Sequence, residues 1–292
     1  MPMARVADIA FDAGAALGES PVWDADAEQL VWVDCIEGAV HRSDPRTGSD
    51  SAVRVGQPVG SVALRRRGGM VMAVGEGFAF LDERTGAVTP AAEARPAPAP
   101  YAMNDGACDV TGRFWAGTRS QSGDPTAGLY RFDVEHNVTR AVAGVRLSNG
   151  IGWNPDNTLM YYVDSRAQSL DVFEFHADEG RLGQRRRLVN IDTAVGVPDG
   201  LAVDGDGCIW LALWGPGLVH RYTPGGRLDA LISVPAAQTT SCAFGGPALD
   251  VLYITSARTG LSERRRREQP HAGAVFMCAP GVGGMRAHDY AG

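Results

Sequence analysis

The sequence predicts an all-β protein: a six-bladed β-propeller with four-stranded blades around a central channel. Three observations predict it. First, a phrase led by an oxygen-bearing side chain recurs: Gly18-Glu19-Ser20-Pro21, Met103-Asn104-Asp105-Gly106, Ser148-Asn149-Gly150-Ile151 and Pro198-Asp199-Gly200-Leu201. Second, alignment on Glu19, Gly60, Asn104, Asn149, Asp199 and Ser241 gives six units spaced 41 to 50 residues apart. A period of that size with several strands per unit marks a propeller. Third, the chain is rich in Gly (37) and Pro (17), which suits many turns and few long helices.

The elements follow in order. Arg5 to Phe11 is strand-like and precedes the first unit. It is the natural outer strand of the last blade, where it would close the ring and remove exposed sheet edges. Within the units, the segments 29–34, 70–74, 113–117, 159–164, 209–214 and 251–255 are short runs of β-branched and aromatic residues, the composition of strands. A polar turn precedes each and supplies the Gly, Asn or Asp that hairpin turns require. A partner strand follows each run, beginning near Ala39, Gly77, Gly128, Ser169, Gly217 and Gly273.

Three segments need separate readings. Pro90 to Pro100 is proline-dense and reads as an extended linker between the second and third blades. Glu263 to Glu268 is a charge run, read as a solvated loop or short helix. Asp204-Gly205-Asp206-Gly207 resembles a calcium loop, but Gly215 stands where such a loop needs its bidentate Glu, so a hairpin turn is expected. The units nearly exhaust the chain, and residues 1–292 are expected to form one propeller domain.

Composition narrows the function. A net charge of −7 argues against nucleic acid or an anionic membrane as partner. Every basic residue among the 27 is Arg, which excludes a lysine Schiff base and a Walker-type phosphate loop. The five cysteines (Cys35, Cys108, Cys208, Cys242, Cys278) are scattered and unpaired by spacing. That pattern is expected of reduced, mostly buried thiols in the cytoplasm. The N-terminus carries no signal-peptide pattern, and no apolar stretch is long enough for a transmembrane helix. No Gly-x-Ser-x-Gly, His-Glu-x-x-His or dinucleotide fingerprint occurs, and the six histidines show no metal-ligand spacing.

Innermost propeller strands line the channel, so Glu19, Asn104, Asn149 and Asp199 are expected to converge there despite their separation in sequence. Taken singly, Asn-Gly and Asp-Gly pairs are ordinary turn formers. Taken together with Leu17–Trp23, Gly112–Thr118, Tyr162–Ser165 and Phe244-Gly-Gly, they resemble the regucalcin/gluconolactonase (senescence marker protein) family over nearly the whole chain. The resemblance implies a six-bladed propeller binding one divalent cation and hydrolysing a sugar lactone or related cyclic ester. It places the metal ligands on Glu19, Asn149 and Asp199, and a contact to substrate or water on Asn104. Two carboxylates and a carboxamide make a hard oxygen shell, best suited to Ca²⁺, with Mg²⁺, Mn²⁺, Zn²⁺ or Fe²⁺ as alternatives. The cation would polarise the lactone carbonyl and activate water, with Asp199 as the proton acceptor.

The chain also departs from the family pattern. Relatives often carry an Arg two residues before the channel Asn, where this chain has Ala102. An acidic residue common after the Gly-Thr pair is missing, with Gln121 and Ser122 in that region. Arg119 follows Gly117-Thr118 directly and is expected to point into the channel mouth as a replacement substrate contact. The alternatives are a metal-dependent esterase or organophosphate hydrolase, and a cation- or ligand-binding propeller without turnover.

Overall fold

The computed structural model describes residues 3–94 and 101–292. Six sheets, each with an antiparallel core, follow one another along the chain, and the first five blades are laid down from inner to outer strand. The inner strands are Gly18–Asp24, Val59–Leu64, Tyr101–Cys108, Ser148–Trp153, Val197–Val203 and Thr239–Gly245. Each contacts the inner strands of the blades before and after it, and the strand of the last blade contacts that of the first, so the ring closes. The six-bladed propeller expected from the repeat period is therefore the fold.

Ring closure differs from expectation in one detail. Asp8–Phe11 pairs antiparallel with Val275–Cys278 and completes the sixth blade. Met3–Val6 instead runs parallel to Leu228–Ser233 as a fifth strand on the fifth blade. The break falls at buried Ala7, whose N–H donates to Ser233 O at 2.9 Å. One segment thus covers the outer edges of two neighbouring sheets, which leaves fewer unpaired backbone groups than either pairing alone.

The expected turns form, and their carboxylates are consumed by them. Asp204 accepts from Asp206 N, Cys208 N, Trp210 Nε1 and Arg221 Nε, so no acceptor is left for a cation. Glu263–Glu268 is a short exposed helix capped by Ser262. Pro90 lies inside the outer strand Ala87–Glu93, at a register shift, the kind of sheet position that tolerates a residue without N–H. The rest of the expected linker, residues 95–100, lies outside the described residues.

Large aromatic side chains fill the space between sheets. Trp32, Trp115 and Trp210 are fully buried, and their indole N–H groups donate to Ser43 Oγ, Asp109 Oδ2 and Asp204 Oδ2 at 2.8–2.9 Å. Trp23 and Tyr253 stack with centroids 5.7 Å apart and join the first blade to the sixth. All five cysteines are free and buried, as their scattered apolar placement predicted. No helix among the described residues is long and apolar enough to cross a membrane.

The last residues cross the face opposite the inner-strand entries. Gly284 bridges Asp204, Arg286 pairs with Asp26 at 3.0 Å, and Tyr290 bridges Arg65. A cavity of about 240 Å³ lies in the channel above this segment, lined by side chains such as Trp23, Ile151, Leu201, Phe244 and Met285. Tyr290 anchors the crossing: it is fully buried, stacks on Phe132 at 5.3 Å, and donates its hydroxyl to Asp133 O at 2.7 Å. Tyr290→Ala is expected to lower unfolding stability by about 3–5 kcal/mol, the usual cost of deleting a buried aromatic ring. Urea denaturation checks this, and a loss below about 1 kcal/mol would show that the crossing segment adds little to the fold.

Candidate metal and substrate site

Every inner strand breaks register with its neighbour near its entry. The pairing shifts between Glu19 and Val22, Val59 and Ser61, Met103 and Gly106, Ser148 and Ile151, Pro198 and Leu201, and Thr239 and Cys242. These are β-bulges, which turn a side chain away from the alternation of the strand. Asn104, Asn149 and Asp199 each sit in a bulge, and Glu19 sits at the edge of one. Ser20, next to Glu19, adopts φ +47°, a strained conformation for a non-glycine residue.

The glycines in these phrases are not turn residues. Gly150 and Gly200 have no positive φ. A Cβ on Gly150 would lie 2.8 Å from both Asp199 O and Leu201 N, and one on Gly200 would lie 2.1 Å from Ser241 Oγ. Adjacent inner strands approach too closely for any side chain there. The Asn-Gly and Asp-Gly pairs therefore mark the contact between blades at the axis.

The bulges bring the expected residues together. Asn149 Nδ2 donates to Ser165 Oγ at 3.0 Å and to Asp199 Oδ1. With both amide hydrogens committed, Asn149 Oδ1 is buried and has no hydrogen-bond partner among the described residues. Asn104 Nδ2 donates to Ser148 O at 2.8 Å, which turns its Oδ1 the other way. Glu19 and Asp199 are buried, at 8% exposure each. Burial, then repulsion from Asp199 and Asp105, raises the pKa of Glu19 well above the ordinary carboxylate value. Burial, then Asp105, does the same to Asp199.

Asp105 was not singled out in the sequence, yet it is the third carboxylate of this cluster. It is 8% exposed, and burial raises its pKa to about 6. It lies one residue beyond Asn104 and lines the cavity below with Ser20 and Ser241. The signal was present: this phrase reads Asn-Asp-Gly where its counterparts read Asn-Gly and Asp-Gly. The extra residue of the bulge is a carboxylate rather than a glycine.

Scaffold residues brace the entries. Asp34 accepts from Ala16 N and Leu17 N just before Glu19, and Asp164 accepts from Arg146 N and Leu147 N just before Asn149. In the sixth blade the equivalent of Asn149 is Thr240, one residue earlier than the sequence alignment put it. Thr240 Oγ1 donates to Gly18 O at 2.6 Å, so this position ties the sixth blade to the first and holds no site group.

A family profile described as SMP-30/Gluconolactonase/LRE-like region matches residues 17–258. The chain belongs to the SMP-30/gluconolactonase family. Within that family it is 35% identical to regucalcin of Xenopus laevis over 284 residues, 94% of this chain and 95% of the relative. It is 32% identical over 283 residues to a Bacillus subtilis protein named "Putative sugar lactone lactonase YvrE", 96% of this chain and 97% of that one. The crystal structure of Agrobacterium tumefaciens regucalcin, described as a calcium-binding protein, superposes with a TM-score of 0.93 at 27% identity and covers 99% of this chain and 98% of that one.

Arg119 sits at the end of its strand, and its Cα pairs with that of Ala102 on the inner strand. It also bridges Leu147, two residues before Asn149. Its positive charge acts on both Glu19 and Cys35 of the first blade.

Two predictions follow from this packing and charge. Gly150→Ala is expected to cost about 1–3 kcal/mol of stability, as overpacking does; an unchanged urea midpoint would show that the strands have room for a methyl group. The second concerns pH. Glu19, Asp105 and Asp199 have raised pKa values, so the folded protein without metal holds more protons than the unfolded chain. Their contribution to stability is therefore fully present below the ordinary carboxylate range. It falls as pH rises toward their folded values, about 6 for Asp105. Asp105→Asn is expected to stabilise the metal-free protein by about 1–2 kcal/mol at pH 7.5 and by almost nothing at pH 4.5. Equal effects at both values would remove charge repulsion as the cause.

Proposed function

We propose that the protein is a divalent-cation-dependent hydrolase that opens a small lactone, with Ca²⁺ as the best-suited cation and Mg²⁺, Mn²⁺, Zn²⁺ or Fe²⁺ as alternatives. One observation carries this reading: a buried amide oxygen, Asn149 Oδ1, left without a donor beside carboxylates that burial and mutual repulsion keep from ionising freely. A hydrogen-bond donor would satisfy the oxygen alone. A cation satisfies the oxygen and the carboxylates at once, and an oxygen-only donor set suits a hard ion. Glu19, Asn149 and Asp199 would hold it. When bound, it would supply Lewis-acid polarisation of the carbonyl.

The chain's own residues supply the rest. Asn149 Nδ2 fixes Asp199 through Oδ1 and leaves Oδ2 open. The proton affinity of Asp199, raised by burial and by Asp105, suits it to take a proton from the attacking water. Water adds to the lactone carbonyl, the ring C–O bond breaks, and the ring oxygen leaves as a hydroxyl carrying a proton. Asn104 Oδ1 is oriented to accept from a substrate hydroxyl, and Arg119 donates from the mouth. The relatives' names support the same substrate class, since one is called a sugar lactone lactonase and another a calcium-binding protein. Free, buried thiols support a reducing compartment, the cytoplasm.

A pH-indicator screen over lactones, simple esters and organophosphates, with each cation in turn, tests the proposal. Chelation is expected to lower lactone opening by on the order of 10³-fold, reversibly on adding the cation back. Asp199→Ala is expected to lower it at least as far and to weaken cation binding in calorimetry. Full activity after chelation would falsify the metal dependence. Cation binding with no turnover across the panel would establish the binding propeller instead.

A further inference from the structure

Arg119, Arg146 and Arg166 stand around the loop 120–126, where the third and fourth blades meet. Arg146 Nη1 donates to Gly123 O at 3.2 Å, and Arg166 packs against Gly123. Among the described residues, none of the three arginines forms an ion pair with an Asp or Glu, and Arg119 forms no hydrogen bond through its guanidinium.

Nearby acceptors are occupied or turned away. Ser120 Oγ and Ser122 Oγ bond each other at 3.0 Å, and Thr126 Oγ1 donates to Ser120 Oγ at 3.2 Å. Gln121 is neutral and exposed, and Asp124 in the same loop is exposed. Arg119 is partly buried, so water solvates it incompletely. A planar fork of donors held in that state is completed best by a carboxylate, which it binds through two parallel charge-assisted hydrogen bonds.

Geometry directs that fork over the site. Arg119 pairs across the strands with Ala102, and directly paired residues on antiparallel strands point to the same face. The methyl of Ala102 leaves the space in front of Arg119 open. Glu19, Asp105 and Asp199 make the rest of the site acidic, so it offers an anion no partner. An anionic substituent has one favourable seat, on the arginine side.

We propose that Arg119 determines substrate specificity, and that the lactone it selects carries a carboxylate on the part of the molecule away from the scissile carbonyl. This rests on the lactonase reading above. A charged lactone would lie across the mouth with its carbonyl toward Glu19, Asn149 and Asp199 and its carboxylate on Arg119. Ring opening would give a dicarboxylate.

The test compares glucono-δ-lactone with glucarolactone, its counterpart carrying a carboxylate in place of the terminal hydroxymethyl group, on the Ca²⁺-loaded protein. The wild type is expected to favour the charged lactone in kcat/KM by roughly 10- to 100-fold, the range of a charge-assisted hydrogen bond. Arg119→Gln is expected to abolish the preference, raising KM on the charged lactone at least about 10-fold more than on the neutral one. Adding Ala102→Arg to Arg119→Gln is expected to restore the preference, because the two positions share a face. Calorimetry with glucarate gives a readout independent of turnover: binding is expected to weaken by a similar factor in Arg119→Gln while Ca²⁺ affinity holds. If the wild type opens both lactones equally, or Arg119→Gln loses equally on both, the specificity proposal fails and the lactonase reading stands. If neither lactone, nor any other in the panel, is opened with any cation, both fail.

Discussion

The close approach of six inner strands around one axis is the constraint on which the rest of the structure depends. A Cβ on Gly60 would lie 2.5 Å from Asn104 O, one on Gly106 2.8 Å from Ser61 Oγ, and one on Gly150 2.8 Å from Asp199 O. Strands that close cannot also present side chains to one another there, so each bulges and sends a neighbouring residue toward the axis. Six equivalent positions then ring the axis. Glycine occupies one, a threonine tied to backbone another, and the remaining four carry Glu19, Asn104, Asn149 and Asp199. The site is a consequence of how the ring closes.

Closure has an electrostatic cost. Burial raises the pKa of Glu19, Asp105 and Asp199, and repulsion from neighbouring carboxylates raises Glu19 and Asp199 further. Isolated propeller packing gives no reason to place three carboxylates at a dry axis, since apolar residues would be more stable there. The rest of the ring holds this arrangement by many small, redundant braces: Asp34 and Asp164 on the entry segments, Thr240 on Gly18, and Tyr162 donating to Ser148 Oγ at 2.8 Å. A fold that violates polar-burial rules at one point and satisfies them around it is the usual pattern of a functional site.

Much of this was legible in the sequence, and the failures share a physical origin. The repeat period revealed the blades because each blade repeats one length of chain. The leading residues of the phrases revealed the convergence because ring closure maps equal phase to equal place. Asp105 was missed because a strand normally alternates faces, so the neighbour of an inward residue should point outward; a bulge suspends that alternation. The glycines looked like turn formers because sequence carries no record of how near another backbone comes. Thr240 was displaced by one residue because its blade lacks an Asn or Asp to mark the bulge. The segment Arg5 to Phe11 reads as one strand because its composition is uniform, while the edges it must cover belong to two sheets.

The proposed chemistry and the proposed selectivity sit on different parts of the blades. Glu19, Asn149 and Asp199 belong to inner strands whose positions are fixed by contacts on both sides, so a change there disturbs the whole axis. Arg119 belongs to the end of a second strand, one layer out, beside the loop 120–126. A guanidinium at either Ala102 or Arg119 overlooks the same opening, because antiparallel partners share a face. What differs is the angle of approach and the company it keeps: from Arg119 it comes with Arg146 and Arg166. On the proposed reading, the ring permits the substrate's charge to change while the geometry of Glu19, Asn149 and Asp199 stays constant.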